Sequence, residues 1–352
     1  MRAVRWYAAR DLRLGEVPVP RVGPGQALVQ VERVGLCGTD VEEYLHGPLD
    51  IPVAAPHPRS GHQAPLTPGH EVVGVVVDCP DDPSWVGRRV VPDVVEGCGT
   101  CWWCARHEEG LCPELVVLGM HAPGGLAELM VCCSATLVEV PAGVDADLAA
   151  FAEPTSVAVR AVAKAGDLRG ATIAVVGAGV VGNLIAQVAR GSGARVAVQE
   201  PSATRRDLVK HVGVELAVAG FGEARERLAD LTRGRMADVV FECAGRDEAF
   251  TDAVALTRRG GTTVLVGLRD SMPPLPWRDI VLGEKRLLGT AAHMWDVDVA
   301  TAVKLLADGI VDPRQMVSEV VPLSAVGAAL ERLAQPNELA KVLVDPARIG
   351  QG

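Results

Sequence analysis

The run ATIAVVGAGVVGNLIAQVARGSG, Ala171–Gly193, constrains the fold more than any other stretch of this 352-residue chain. An unbroken apolar run that ends in closely spaced glycines reads as a buried strand closed by a tight turn. The Ala-rich residues behind it read as a helix stopped by glycines. The same alternation continues downstream. RVAVQE (195–200) reads as a strand and SATRRDLVKHVG (202–213) as a helix. DVVFECAG (238–245) and GTTVLVG (261–267) read as strands, separated by DEAFTDAVALTRRGG (247–261), a helix with a glycine stop. Alternation at this spacing implies right-handed βαβ units and a parallel, doubly wound α/β sheet.

The first part of the chain has a different texture. Up to about Val140, short β-prone runs such as ALVQVERV (27–34), VVGVVVDC (72–79) and AELMVCC (127–133) are broken by Gly and Pro. This predicts a folded-over all-β unit. Around Ala150 the chain turns helix-prone. Near its end, DVATAVKLLADGIV (298–311) and AVGAALERLAQP (325–336) read as helices, followed by a short strand, KVLVD (341–345).

A formal charge of −10 without a basic block excludes nucleic acid as a partner. No apolar run reaches the ~20 residues that span a bilayer, so no membrane partner is expected. The N-terminus lacks signal-peptide features, and a cytoplasmic location is expected. In a reducing compartment the nine cysteines read as metal ligands or buried thiols rather than disulfides.

In GAGVVG, Gly177 permits the tight turn and Gly179 lets backbone approach a pyrophosphate. Gly182 lets the helix opened by Val180 and Val181 pack against the strand. Glu200 ends the next strand at the distance expected of a residue that accepts hydrogen bonds from an adenosine ribose, which favours NAD over NADP. Arg205 and Arg206 stand close behind, and pairing either with a 2′-phosphate reverses that preference.

Two metal constellations stand out. Cys98, Cys101, Cys104 and Cys112 follow a C-x2-C-x2-C-x7-C spacing. Four thiolates close a tetrahedral zinc site completely, which marks it as structural. An iron–sulfur cluster is the rival, but the last gap is long and no second run exists. Trp102 and Trp103 are expected to pack around this loop, and His107 is a spare. The second constellation is dispersed: Cys37 in GLCGTD, His70 and Glu71 in TPGHEVVG, and Glu153 in FAEPTS. Soft, borderline and hard ligands from separate segments suit a catalytic zinc with an exchangeable position.

GLCGTD, TPGHEVVGVVV, CGTCWWCARHEEGLC, FAEP, GAGVVG and DVVFECAG occur in this order across nearly the whole chain. As a set they resemble the zinc-dependent medium-chain dehydrogenases, and most closely the butanediol and sorbitol dehydrogenase branch. The resemblance implies a GroES-like β catalytic domain over residues 1–155, with the structural-zinc lobe near 96–113. It further implies a Rossmann NAD-binding domain over 156–292 and a C-terminal segment, 293–352, returning to the first domain. It implies two Zn²⁺ per chain: one on Cys37, His70 and Glu153, with Glu71 as a neighbouring carboxylate that ligates in some states or orients the site, and one on the four clustered cysteines. Thr39 would begin a proton relay and the nicotinamide would rest near Val266 and Gly267. A small-molecule alcohol or ketone is the implied substrate, and a homodimer or homotetramer the implied assembly.

The chain departs from the family where many members carry a relay histidine five residues after the first ligand, because Glu42 stands there. If that stretch is helical, Glu42 and His46 share a face and together offer a proton exit; the alternative is that water completes the relay. The leading function is oxidation of a secondary alcohol, a vicinal diol, polyol or sugar-like alcohol. One alternative uses NAD transiently, with no net redox change, for elimination or epimerisation. Another, of a different class, is a silent NAD-binding zinc sensor or interaction module.

Overall fold

The computed structural model describes residues 1–269, 273–335 and 339–348. The chain divides into two compact units. One comprises Met1–Ser156, His293–Ala307 and Met316–Gly352; the other comprises Val157–Ala292 and Asp308–Gln315.

The first unit is built on a seven-stranded sheet. Its order is Val317–Pro322, Lys341–Asp345, Gln26–Gly35, Glu71–Asp78, Arg89–Pro92 and Leu137–Glu139, and Leu129–Cys133 also pairs with Gln26–Gly35. Val29, Val31, Val34, Val72, Val73 and Val76 are buried along the two central strands. β-branched side chains pack well on a pleated surface, so these valines both favour the strands and fill the core. Register does the positioning. Gly35 pairs with Glu71 across one neighbour and with Leu343 across the other, which draws the ends of three strands together.

The second unit holds a six-stranded parallel sheet in the order Leu216–Val218, Arg195–Gln199, Thr172–Val176, Ala237–Glu242, Thr257–Leu265 and Arg286–Gly289. The chain reverses direction across the sheet between Thr172–Val176 and Ala237–Glu242. That is the switch point at which doubly wound sheets open a crevice beyond their strand ends. Ala174, Val176, Ala197, Val240, Leu228 and Leu256 lie in the core beneath. The sheet is the α/β, Rossmann-type sheet the sequence predicts.

Three local expectations differ. The helix read over 247–261 ends at Leu256, and Thr257 already pairs with Ala237 as the start of a strand. Arg258 is drawn to Asp238 at 2.7 Å, and Gly260 takes a left-handed φ of 67° beside the resulting irregularity, so tertiary pairing overrides the helical pattern. The helix read over 298–311 stops at Ala307, with a wider π turn over Trp295–Val299 in front of it. Asp308–Gln315 belongs with the second unit rather than with the returning C-terminal segment. There Val311 is fully buried, and Asp312 N–H donates to Gln187 Oε1 at 2.7 Å.

At the glycine turn, a Cβ on Gly182 would lie 2.0 Å from the carbonyl oxygen of Gly177. That obstacle is backbone and cannot swing aside. Gly182→Ala is therefore expected to lower stability by about 1–3 kcal/mol, read as a lower denaturant midpoint at unchanged m-value. An unchanged midpoint contradicts the close-packing account.

Candidate active site and metal centres

Cys37 follows the strand Gln26–Gly35 and caps the helix Gly38–His46; its N–H donates to Asp40 Oδ2 at 2.9 Å. His70 immediately precedes the strand Glu71–Asp78. The register brings them together: donor atoms of Cys37, His70 and Glu71 all lie within 4.8 Å of one another. His70 and Glu71 are buried. His70 Nδ1 faces Asp40 Oδ1 at 3.5 Å, close enough for attraction but without a formed hydrogen bond. Burial pulls the His70 pKa down, but Asp40 and Cys37 outweigh it and hold it well above the ordinary histidine value. Glu71 forms a buried ion pair with Lys341, whose Nζ also donates to Leu36 O at 3.0 Å. Burial pulls the Lys341 pKa down, yet Glu71 and Cys37 raise it overall. A Cβ on Gly35 would strike Glu71 Oε2 and approach Lys341 Cε to 2.8 Å, so only glycine leaves room for this pair. A half-buried thiol converging with a buried imidazole and carboxylate fits a zinc ion chemically.

Glu153 stands outside that group of three. It lies in the first turn of the helix Ala152–Ala165, 12% exposed, with Oε1 3.5 Å from His293 Nδ1. Burial raises its pKa, while His293 and His70 work in the other direction. His293 in turn meets Asp93 Oδ1 through Nε2 at 2.9 Å. Of the four expected residues, Cys37, His70 and Glu71 thus form the tight group, and Glu153 lies beside it against a histidine, within electrostatic reach of His70 and Glu71.

Thr39, Glu42 and His46 all fall in the helix Gly38–His46. Thr39 Oγ1 lies 3.8 Å from Cys37 Sγ. Glu42 and His46 do share a face: Oε2 and Nε2 are 3.9 Å apart, and both side chains are exposed.

The four clustered cysteines also converge. Cys101 Sγ lies 3.5 Å from Cys104 Sγ and 3.8 Å from Cys112 Sγ, and Cys98 Sγ lies 4.0 Å from Cys104 Sγ. Hydrogen bonds from the Thr100 and Cys101 backbone and the Thr100 hydroxyl bring the Cys98 thiol down to about 6, whereas burial pushes Cys104 up to about 12. A shared cation removes that conflict by taking all four as thiolates. Trp102 and Trp103 pack edge-to-face around the loop with ring centroids 4.6 Å apart, and Trp102, 58% exposed, carries Arg106 4.2 Å above its ring. His107 stands outside the four sulfurs and has another partner set: its Nε2 meets Asp296 at 2.9 Å and its Nδ1 meets Glu109 at 3.2 Å, which ties the lobe to Trp295–Val299.

The residues expected to hold a dinucleotide gather around the strand ends of the parallel sheet. Gly177 has a left-handed φ of 91°, and Gly179 caps the helix Val180–Gly191, whose first residues are Val180, Val181 and Gly182. The unpaired N–H groups of such a helix start form an anion site. Glu200 is buried and accepts hydrogen bonds from Ala178 N–H at 2.7 Å and Ser202 N–H at 2.9 Å. Arg206 donates to the carbonyls of Glu200 and Pro201, while Arg205 stands half-buried on the same helix. Val266 and Gly267 both donate to Glu242 O, at 2.9 and 3.0 Å.

Sequence reasoning missed Asp40, Lys341, His293 and Asp93. Two carried a signal: an acidic residue three positions after Cys37, and a lysine opening a buried strand. His293 and Asp93 carried none, because a pair separated by 200 residues shows no local pattern.

The family model for the alcohol dehydrogenase GroES-like domain matches residues 23–142, and that for zinc-binding dehydrogenases matches 180–308. The chain is 30% identical to (R,R)-butanediol dehydrogenase of Neisseria gonorrhoeae, over 98% of this chain and 99% of the relative. It is 31% identical to erythritol/L-threitol dehydrogenase of Mycolicibacterium smegmatis, over 99% and 98%. A protein of Sinorhizobium meliloti taken to be a zinc-binding dehydrogenase, solved bound to NADP, superposes with a TM-score of 0.87 at 30% identity, covering 98% of this chain and 99% of that one.

Hydrogen bonds with Glu109 and Asp296 raise the His107 pKa above its ordinary value of 6.5. The stabilisation is then fully present below the unfolded pKa and is lost as pH rises through the folded one. His107→Asn, which tolerates the left-handed φ of 60°, is expected to lower Tm most near about pH 6 and least near about pH 9. An equal deficit at both values contradicts the ion-pair account.

Proposed function

Because the chain belongs to the zinc-type medium-chain alcohol dehydrogenases, oxidoreductases acting on CH–OH groups, we propose that it interconverts a secondary alcohol and its ketone with NAD. The favoured substrates are vicinal diols, polyols and sugar-like alcohols. The convergence of Cys37, His70 and Glu71 beside Thr39 carries this reading. The relatives named for butanediol and for erythritol and threitol support the vicinal diol. In this reading a second zinc is held by Cys98, Cys101, Cys104 and Cys112. The protein is taken to be a cytoplasmic homodimer or homotetramer. Among the described residues, no helix is long and apolar enough to cross a membrane.

A zinc ion at the first centre supplies Lewis acidity and the nicotinamide supplies the hydride acceptor. The chain's own residues do the rest. Asp40 holds the His70 ring, and Lys341 holds Glu71. Thr39 Oγ1 takes up the alcohol proton and passes it outward along its helix face, where positions 39, 42 and 46 follow one another at helical spacing. Exposed Glu42 and His46 release it to water. Gly177, Gly179 and the helix start at Val180–Gly182 cradle the pyrophosphate, and Val266 and Gly267 border the nicotinamide. Glu200, fixed by two backbone donors, repels a 2′-phosphate and favours NAD, although Arg205 stands near enough in sequence to oppose it.

The test is NADH formation across a panel of diols, polyols, amino-sugar alcohols and hydroxy acids, repeated with NADP. A vicinal diol or polyol is expected to give a ketone and NADH, with kcat/KM for NAD above that for NADP. Substrate consumed without NADH release sinks the dehydrogenase reading in favour of transient redox use, and an NADP preference sinks the Glu200 argument.

A further inference from the structure

Both carboxylates at the first centre have a basic partner. Glu71 is paired with Lys341, and Glu153 faces His293. The second pairing has no role in the function proposed above. His293 is 2% exposed, and a polar ring so deeply buried needs partners. Its Nε2 has a firm one in Asp93 at 2.9 Å. Asp93 is itself fixed, since its Oδ1 also accepts from Val95 N–H at 3.0 Å and its own N–H donates to Thr136 O at 3.3 Å. The ring is thus anchored from behind.

Its other nitrogen points at Glu153, and there the fit is loose. Nδ1 lies 3.5 Å from Oε1, close enough for attraction but without a formed hydrogen bond. Glu153 belongs to a helix, so its backbone is fixed and only its side-chain torsions are free. The carboxylate can therefore lie toward His293 or toward the thiol and imidazole. In the structure it lies toward His293, outside the group formed by Cys37, His70 and Glu71.

We propose that His293, anchored on Asp93, is a positioning residue that holds the Glu153 carboxylate back from the Cys37–His70–Glu71 cluster and keeps one position of that centre exchangeable. The proposal rests on the reading of that cluster as the catalytic metal centre. It inverts the usual effect of an outer partner. Removing a group that orients a ligand normally costs 10–100-fold in metal affinity; here removal frees a carboxylate to add itself to the ligand set.

The test uses the full-length protein and variants His293→Ala, His293→Gln, Asp93→Asn and Glu153→Gln, with His293→Ala also made in the Glu153→Gln background. Two readouts are independent of turnover: the rate at which a chelator removes the labile zinc, and the visible spectrum of the cobalt-substituted labile site. His293→Ala is expected to release metal about tenfold more slowly and to shift the cobalt bands, with His293→Gln between it and wild type. In the Glu153→Gln background both differences are expected to vanish. Asp93→Asn loosens the anchor with little change of shape and is expected to move both readouts the same way, so the idea stays testable if His293→Ala does not fold. Unchanged release and spectra, faster release, or a shift that survives in the Glu153→Gln background each overturn the tether. A wild-type protein that takes up metal on the four cysteines alone overturns the catalytic-centre reading itself, and that outcome is distinct from the others.

Discussion

The buried pairing of Lys341 with Glu71 is the interaction on which the first unit's candidate centre depends. It sits where three strands meet, and Gly35 is glycine because the pair fills the space a side chain would take. An ion pair so deep is weak evidence for stability, since desolvation offsets the Coulombic gain. Its consequence is positional. It fixes the first residue of the strand Glu71–Asp78, and with it His70 one residue earlier, against the end of Gln26–Gly35 and Cys37 two residues beyond. Asp40, held by the Cys37 N–H, then faces the His70 ring as its buried counter-charge.

The cysteine lobe uses the same physics to another end. Four sulfurs converge, but they come from one short segment and close around a single point, leaving no position for a substrate. The first centre draws on segments far apart in sequence and has a second carboxylate, Glu153, near by. Local clustering therefore marks the structural feature, and dispersion marks the chemical one. The parallel sheet of the second unit adds a helix start and a glycine turn that backbone alone specifies.

Much of this was legible in the sequence because it depends on local pattern. The run from Ala171 to Gly193 dictates a strand, a glycine turn and a helix through side-chain volume alone, and the cysteine spacing dictates convergence within one loop. The unit built on Gln26–Gly35 and Glu71–Asp78 could be read as β from its valines. Its register could not, and register is what places Cys37 beside His70. Glu71 and Glu153 were both expected at this centre, and the structure groups Glu71 with Cys37 and His70 while Glu153 faces His293. Nothing in either residue's neighbourhood reveals Lys341 or His293, the distant bases that the two carboxylates face. Thr257 shows the same limit in the fold, where pairing with Ala237 ends a helix that its own sequence would extend.

The most direct test of the account is anomalous diffraction at the zinc edge from crystals of the full-length protein. The account predicts two peaks per chain, one enclosed by Cys98, Cys101, Cys104 and Cys112 and one bounded by Cys37, His70 and Glu71. A peak among the four sulfurs with none at Cys37 and His70 would contradict it.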